Sequence, residues 1–213
     1  MGKAHKGSSE RGGRTKVKMK KWKLMPAVLC ILTMLTGCSP DLSETAAAVQ
    51  VDGDVIRVGT QLEIEKPDGS LSLLDNKEAL AADGLYYAAW SMGDAAPYEN
   101  SDGDTVDLYD AQLYLLLSEC ADSEDAQEAR SSWLDAARQN YEVSKEEEIT
   151  CNGQSYTCLH YKCVSEDNPY DRGVSAFAVS GKNAVCIELT CQEAFEGDLQ
   201  SILTGFLDGC HYK

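Results

Sequence analysis

Seven cysteines and two histidines are the side chains beyond residue 40 that could serve as nucleophile, base or soft metal ligand: Cys120, Cys151, Cys158, Cys163, Cys186, Cys191 and Cys210, with His160 and His211. Cys158/Cys163 and Cys186/Cys191 share a C-x4-C spacing, which invites a zinc site. Zinc needs four ligands converging tetrahedrally, at about 2.3 Å for sulfur. Positions five apart on a strand point to opposite faces, so neither pair converges. The thiols therefore read as structural disulfides or buried free thiols. An odd count leaves at least one thiol free or bridged to another molecule. No thioredoxin-like C-x-x-C is present. His160 beside a cysteine on a neighbouring strand could make a nucleophile–base pair, which needs hydrogen-bond reach between the two. No G-x-S-x-G elbow supports such chemistry, and an ordinary strand histidine is the expectation.

Carboxylates gather at Asn100-Ser101-Asp102-Gly103-Asp104, with Asp107 and Asp110 following. Calcium takes six to eight oxygens, but this spacing departs from the EF-hand loop, and Asp-Gly also marks plain turns. Tyr86, Tyr87, Trp90 and Tyr98 crowd one segment. If some stay outside the core they would form a patch for a glycan or a peptide. Gly-rich phosphate loops and basic stripes are missing from the sequence, so nucleic acid is not an expected partner. No metal and no cofactor is expected.

The elements that must hold these residues follow from periodicity. Thr60–Lys66 alternates apolar and polar residues as a strand does. Pro67–Ser70 reads as a turn that returns Leu71–Leu74 as a second strand, and Lys77–Ala82 reads as one or two helical turns. Leu85–Met92 and Thr105–Ser118 are strands, the latter with a bulge near Asp110-Ala111. Ala126, Ala129, Trp133, Ala136, Ala137 and Tyr141 then recur by threes and fours, predicting an amphipathic helix over 123–141, opened by an Asp125/Glu128 capping pair. Glu147–Cys151 and Gln154–Val164 flank Asn152-Gly153, a strong hairpin signal. Gly173–Val179 and Ala184–Cys191 form a second hairpin. Leu199, Ile202, Leu203, Phe206 and Leu207 make the stripe of a closing helix, capped by Asp198 and stopped by Gly209. Antiparallel hairpins with two stripe-faced helices imply an α+β domain: an antiparallel sheet with helices packed on it, in the limit an α/β/α sandwich.

The N-terminal region has a different character. Residues 1–23 carry nine basic residues and one acid. A short apolar run from Leu24 to Leu35 follows, well under the roughly 20 residues of a spanning helix, and it ends in Leu35-Thr36-Gly37-Cys38. This is the layout of a secretory signal. Met19-Lys20-Lys21-Trp22-Lys23 would make a complete basic region by itself. Leu35-Thr36-Gly37-Cys38 resembles the lipobox of bacterial lipoproteins. That resemblance implies diacylglyceryl attachment to Cys38, cleavage before it, and a membrane anchor worth about 0.8 kcal/mol per buried CH2. The expected organisation is a signal peptide over 1–37, a flexible tether over 38–50 and one domain over 51–213. Beyond the signal, ten bases face 34 acids, a surface suited to solubility and stand-off from an anionic envelope.

The order of strands, helix, strands, helix resembles the PsbP/Mog1-like superfamily. Two segments carry that likeness: the Trp133 helix running into the Asn-Gly hairpin, and a strand over 184–191 leading into the Leu199–Leu207 helix. The resemblance implies an accessory or binding role more often than an enzymatic one. The expected function is thus a lipid-anchored, extracytoplasmic and non-catalytic binding or accessory module, whose partner is the membrane through Cys38 and a protein or glycan. The alternative is a thiol-based redox or metal-handling lipoprotein.

Overall fold

A computed structural model describes residues 49–67, 69–74, 84–100, 103–165 and 168–213. Its main element is a seven-stranded antiparallel sheet built from β4 (Ser72–Leu73), β5 (Leu85–Met92), β8 (Ala111–Glu119), β12 (Asn183–Cys191), β11 (Arg172–Ser180), β10 (Gln154–Cys163) and β9 (Tyr141–Cys151), in that spatial order. A four-stranded sheet has the order β1 (Val49–Asp52), β2 (Val55–Val58), β3 (Leu62–Glu65), β13 (Cys210–Tyr212), and β6 (Ala96–Glu99) pairs with β7 (Thr105–Leu108) as a separate hairpin. The helices are α1 (Ser123–Asn140) and α2 (Leu199–Asp208). The chain is an α+β protein, as its sequence leads one to expect.

Alternation along the strands sorts side chains to two faces. Leu116, Leu159, Phe177 and Cys186 turn to one face, where Ala126, Trp133, Leu134 and Ala137 of α1 cover them. Leu113, Leu115, Ala176, Val185 and Ile187 turn to the other, under Leu199, Leu203, Phe206 and Leu207 of α2 and under Ile56, Val58, Leu62 and Ile64 of the smaller sheet. Trp90 meets Phe206 edge-on with ring centroids 4.8 Å apart. The seven-stranded sheet is thus the middle of three layers. Its central strand β12 is buried at every position, which requires cover on both sides.

Several local expectations are corrected. Val49 and Gln50, placed in the tether by composition, belong to β1. β3 does not form a hairpin with Leu71–Leu74; it pairs with β2 and β13, while β4 pairs with β5. The Asp110-Ala111 irregularity is a break and not a bulge, because β7 and β8 enter different sheets. The cap of α1 is Asp122, whose carboxylate accepts from the backbone N–H of Glu124 at 2.9 Å and of Asp125 at 3.0 Å. α1 then passes straight into β9, six residues ahead of the expected strand start. A bulge does exist elsewhere, at His160/Tyr161 against β9. The helical turns expected over 77–82, the signal region and Cys38 lie outside the described residues.

Candidate functional site

Parity along the strands decides the fate of the thiols. Cys158 and Cys191 lie in the core under α2, whereas Cys163 and Cys186 lie in the core under α1. Each C-x4-C pair is therefore split by the sheet, as the odd offset requires. Cys151 and Cys210 join the α2-side core. All seven described cysteines stand as free thiols, five of them buried and Cys120 and Cys163 half-buried. The two members of each C-x4-C pair point away from each other across the sheet. Burial pushes the thiols of Cys158 and Cys163 up to about 12, and it raises those of Cys151, Cys186, Cys191 and Cys210 as well. The thiolate is the nucleophile and the metal ligand, so such thiols are chemically quiet. Cys120 is half-buried beside Ser118, with its Sγ 3.6 Å from the Ser118 hydroxyl.

The histidines are tied to carboxylates rather than to cysteines. His160 Nε2 lies 3.0 Å from Glu147 Oε1, which also accepts from Lys145 Nζ at 2.8 Å. Those two contacts hold the half-buried Glu147 carboxyl below its ordinary range, Lys145 acting most strongly. His211 bridges Asn152, at 3.1 Å from its side-chain amide, and Glu65, at 3.2 Å. Asn152 also donates to the carbonyl of Cys210 at 2.8 Å. The Asn-Gly turn of the β9–β10 hairpin, with both Asn152 and Gly153 at positive φ, is thereby fastened to β13.

Asn100, Gly103 and Asp104 lie between β6 and β7, while Ser101 and Asp102 of the acidic segment fall outside the described residues. Asn100 Oδ1 accepts from the N–H of Asp104 at 2.9 Å, and the N–H of Gly103 donates to the carbonyl of Asn100 at 2.9 Å. Asp107 sits on β7 opposite Pro97, and Asp110 beyond it packs at Gly93. Among the described residues no group of three or more His, Cys, Asp or Glu is arranged to hold a metal ion. The aromatic run divides between layers: Trp90 is buried under α2, Tyr86 packs partly buried on that same core, and Tyr87 is buried on the opposite face. Core packing, the default reading, holds for Tyr87 and Trp90, because a strand covered on both faces buries both of its alternating sets, while Tyr98 lies half-buried on β6.

A polar cluster on the α1 face of the sheet stands out against this apolar packing. Glu188, at the middle of β12, is 2 % exposed. Directly across from it lie Tyr114 on β8 and Ser175 on β11. The Tyr161 hydroxyl of β10 donates to Glu188 Oε1. Its ring reaches there over Gly173, where an added Cβ would lie 2.4 Å from the Tyr161 hydroxyl. Tyr141, at the junction of α1 and β9, stacks on Tyr161 at 4.0 Å and 8°. Further along the face, Gln112 Oε1 accepts from both Tyr114 and Tyr170, the latter at 2.7 Å, and Tyr87 stacks near Tyr114. Burial raises the Glu188 carboxyl above its ordinary range; the hydrogen bond from Tyr161 and the nearby hydroxyls of Tyr141 and Ser175 oppose that shift without cancelling it. Burial likewise raises Tyr87, Tyr114 and Tyr161. Glu188 Oε2 and Ser175 Oγ are buried without a hydrogen-bond partner, and such groups in a native fold call for an explanation.

A scan against protein-family models finds no match, and a search among curated proteins finds none. Among solved structures, the chain is similar to cyanobacterial PsbP (CyanoP) from Synechocystis sp. PCC 6803, with 14 % identity, 81 % of this chain and 99 % of that chain covered, and a TM-score of 0.43. It is also similar to PA94, a protein of unknown function from Pseudomonas aeruginosa, with 16 % identity, 48 % and 85 % coverage, and a TM-score of 0.30. No helix among the described residues is long and apolar enough to cross a membrane.

Sequence reasoning passed over Glu188. The signal was present: Ala184-Val185-Cys186-Ile187-Glu188-Leu189 is an apolar run with one acid inside it. A continuous apolar run marks a strand buried on both faces, and an acid at its centre must then be buried too. Gly173 inside β11 was the second signal, since a strand-interior glycine marks close approach by another group.

Proposed function

We propose that the chain is a lipoprotein anchored in the cell membrane through Cys38 and facing outside the cytoplasm, and that its α+β domain is a non-catalytic binding or accessory module. The observation that carries this reading is Leu35-Thr36-Gly37-Cys38 at the end of a basic, then apolar, segment. β1 begins at Val49, so residues 39–48 would be the tether between lipid and domain. Two features of the domain support the non-catalytic part. The buried thiols are pushed away from the reactive thiolate form, which weighs against the thiol-redox and metal-handling alternative. Both histidines are held by surface carboxylates, with no nucleophile in their hydrogen-bond contacts. The partner is a protein or a glycan, recognised by a strongly acidic surface that repels nucleic acid.

Growth of the native host with an alkyne-bearing fatty acid tests the anchor. The chain should take up the label and fractionate with membranes, and Cys38→Ser should abolish both. Labelling that survives Cys38→Ser, or an unlabelled chain in the soluble fraction, would overturn the proposal.

A further inference from the structure

Glu188 sits where a protein has least reason to place an acid. It is central in the central strand of the sheet, 2 % exposed, with α1 above its face. The titratable groups that face it are Tyr87 on β5, Tyr114 on β8, Tyr161 and Cys163 on β10, Cys186 on its own strand and Tyr141 at the α1–β9 junction. Every one of these is neutral when protonated and would be negative if ionised. Among the described residues no cation enters the balance at Glu188. A buried carboxylate without a positive partner is costly, and the usual escape is to stay protonated. The Tyr161 hydroxyl already donates to Oε1. Oε2 makes no hydrogen bond of ordinary geometry, although the Tyr141 and Ser175 hydroxyls lie close enough to act on the carboxyl.

We propose that Glu188 is a pH-sensitive element built into the sandwich: the closed domain holds it as a neutral acid, and its ionisation loosens the packing of α1 on β11 and β12. The closed form takes up one proton that the open or unfolded chain gives up above the ordinary carboxyl range. Stability is therefore greatest on the acid side and falls as pH rises above the ordinary carboxyl range. The sign follows from linkage, because over this interval the folded state binds more protons than the unfolded one. For a domain exposed outside the cytoplasm, that ties its rigidity to the pH of the surroundings.

The test compares the full chain with Glu188→Gln, an isostere that can still accept from Tyr161 but cannot ionise. Urea unfolding is followed at pH steps from the ordinary carboxyl range to mildly alkaline. The folding constant of the unaltered chain, relative to Glu188→Gln, should fall by up to about tenfold per pH unit across the interval where only the folded state holds the proton. Parallel stability curves would overturn the proposal. Infrared spectroscopy supplies a second reading that does not depend on the variant folding. The folded chain at a pH just above the ordinary carboxyl range should show the carbonyl stretch of a protonated, water-excluded carboxylic acid, and that band should vanish on unfolding. A folded chain with no such band would overturn the proposal equally.

Discussion

Glycine-to-alanine substitution should have opposite signs at two positions, and the contrast tests the packing around Tyr161. At Gly173 a Cβ would lie 2.4 Å from the Tyr161 hydroxyl, 2.6 Å from its Cζ and 2.8 Å from the backbone oxygen of Leu189. The ring has little room to retreat, since it stacks on Tyr141 at 4.0 Å and its hydroxyl is bonded to buried Glu188. The Leu189 carbonyl belongs to the central strand and cannot yield without moving β12. Overpacking of a tight core costs about 1–3 kcal/mol, and loss of the Tyr161–Glu188 hydrogen bond adds about 1–3 kcal/mol. Gly173→Ala should therefore destabilise the domain by about 2–6 kcal/mol. Gly205 is exposed within α2, and a Cβ there meets nothing within 4 Å. Gly205→Ala should stabilise by about 1 kcal/mol, the helix-propensity difference. Urea midpoints at constant m-value measure both. A Gly173→Ala chain with an unchanged midpoint would refute the account of Tyr161 as a ring pinned over the glycine.

Two further outcomes follow from burial and capping. Under native conditions near neutral pH a maleimide should modify half-buried Cys120 first, while Cys158, Cys186 and Cys210 react only at the rate of unfolding; peptide mapping by mass spectrometry reads the order, and early labelling of Cys186 would contradict it. Asp122→Ala should cost about 1 kcal/mol through lost capping of α1, and Asp125→Ala only about 0.5 kcal/mol through the helix dipole. Urea unfolding of the two variants separates them, and equal losses would show that Asp122 is not the cap.

Periodicity exposed the elements whose burial is one-sided or whose turn is chemically distinctive. The stripe Leu199–Leu207 and its Asp198 cap are where the sequence puts them, with Asp198 accepting from Ser201 at 3.0 Å. The Asn152-Gly153 hairpin is there as well. Local pattern failed where pairing is distant. Nothing near Leu62–Glu65 says that its partners are β2 and β13 rather than the segment just after the turn. The strands β1 and β6 were missed because they are short and largely exposed, so they lack an apolar set to betray them. Of the candidate site residues, the cysteines were found and their division between faces was readable from an odd spacing. The polar cluster was not, since Tyr114, Glu188, Ser175 and Tyr161 come from four strands and meet only through the register of the sheet.

The pairing of β3 with β13 also sets an order in time. Glu65 and His211 touch across 146 residues of chain, and the Glu65 N–H is satisfied by the carbonyl of Gly209 at 2.9 Å. Until the segment at 210–212 has been synthesised, the smaller sheet lacks its fourth strand, and Leu62 and Ile64 lack part of their cover. Contacts so far apart are late and slow to form. A ribosome-bound chain would therefore lack the completed smaller sheet through most of its synthesis.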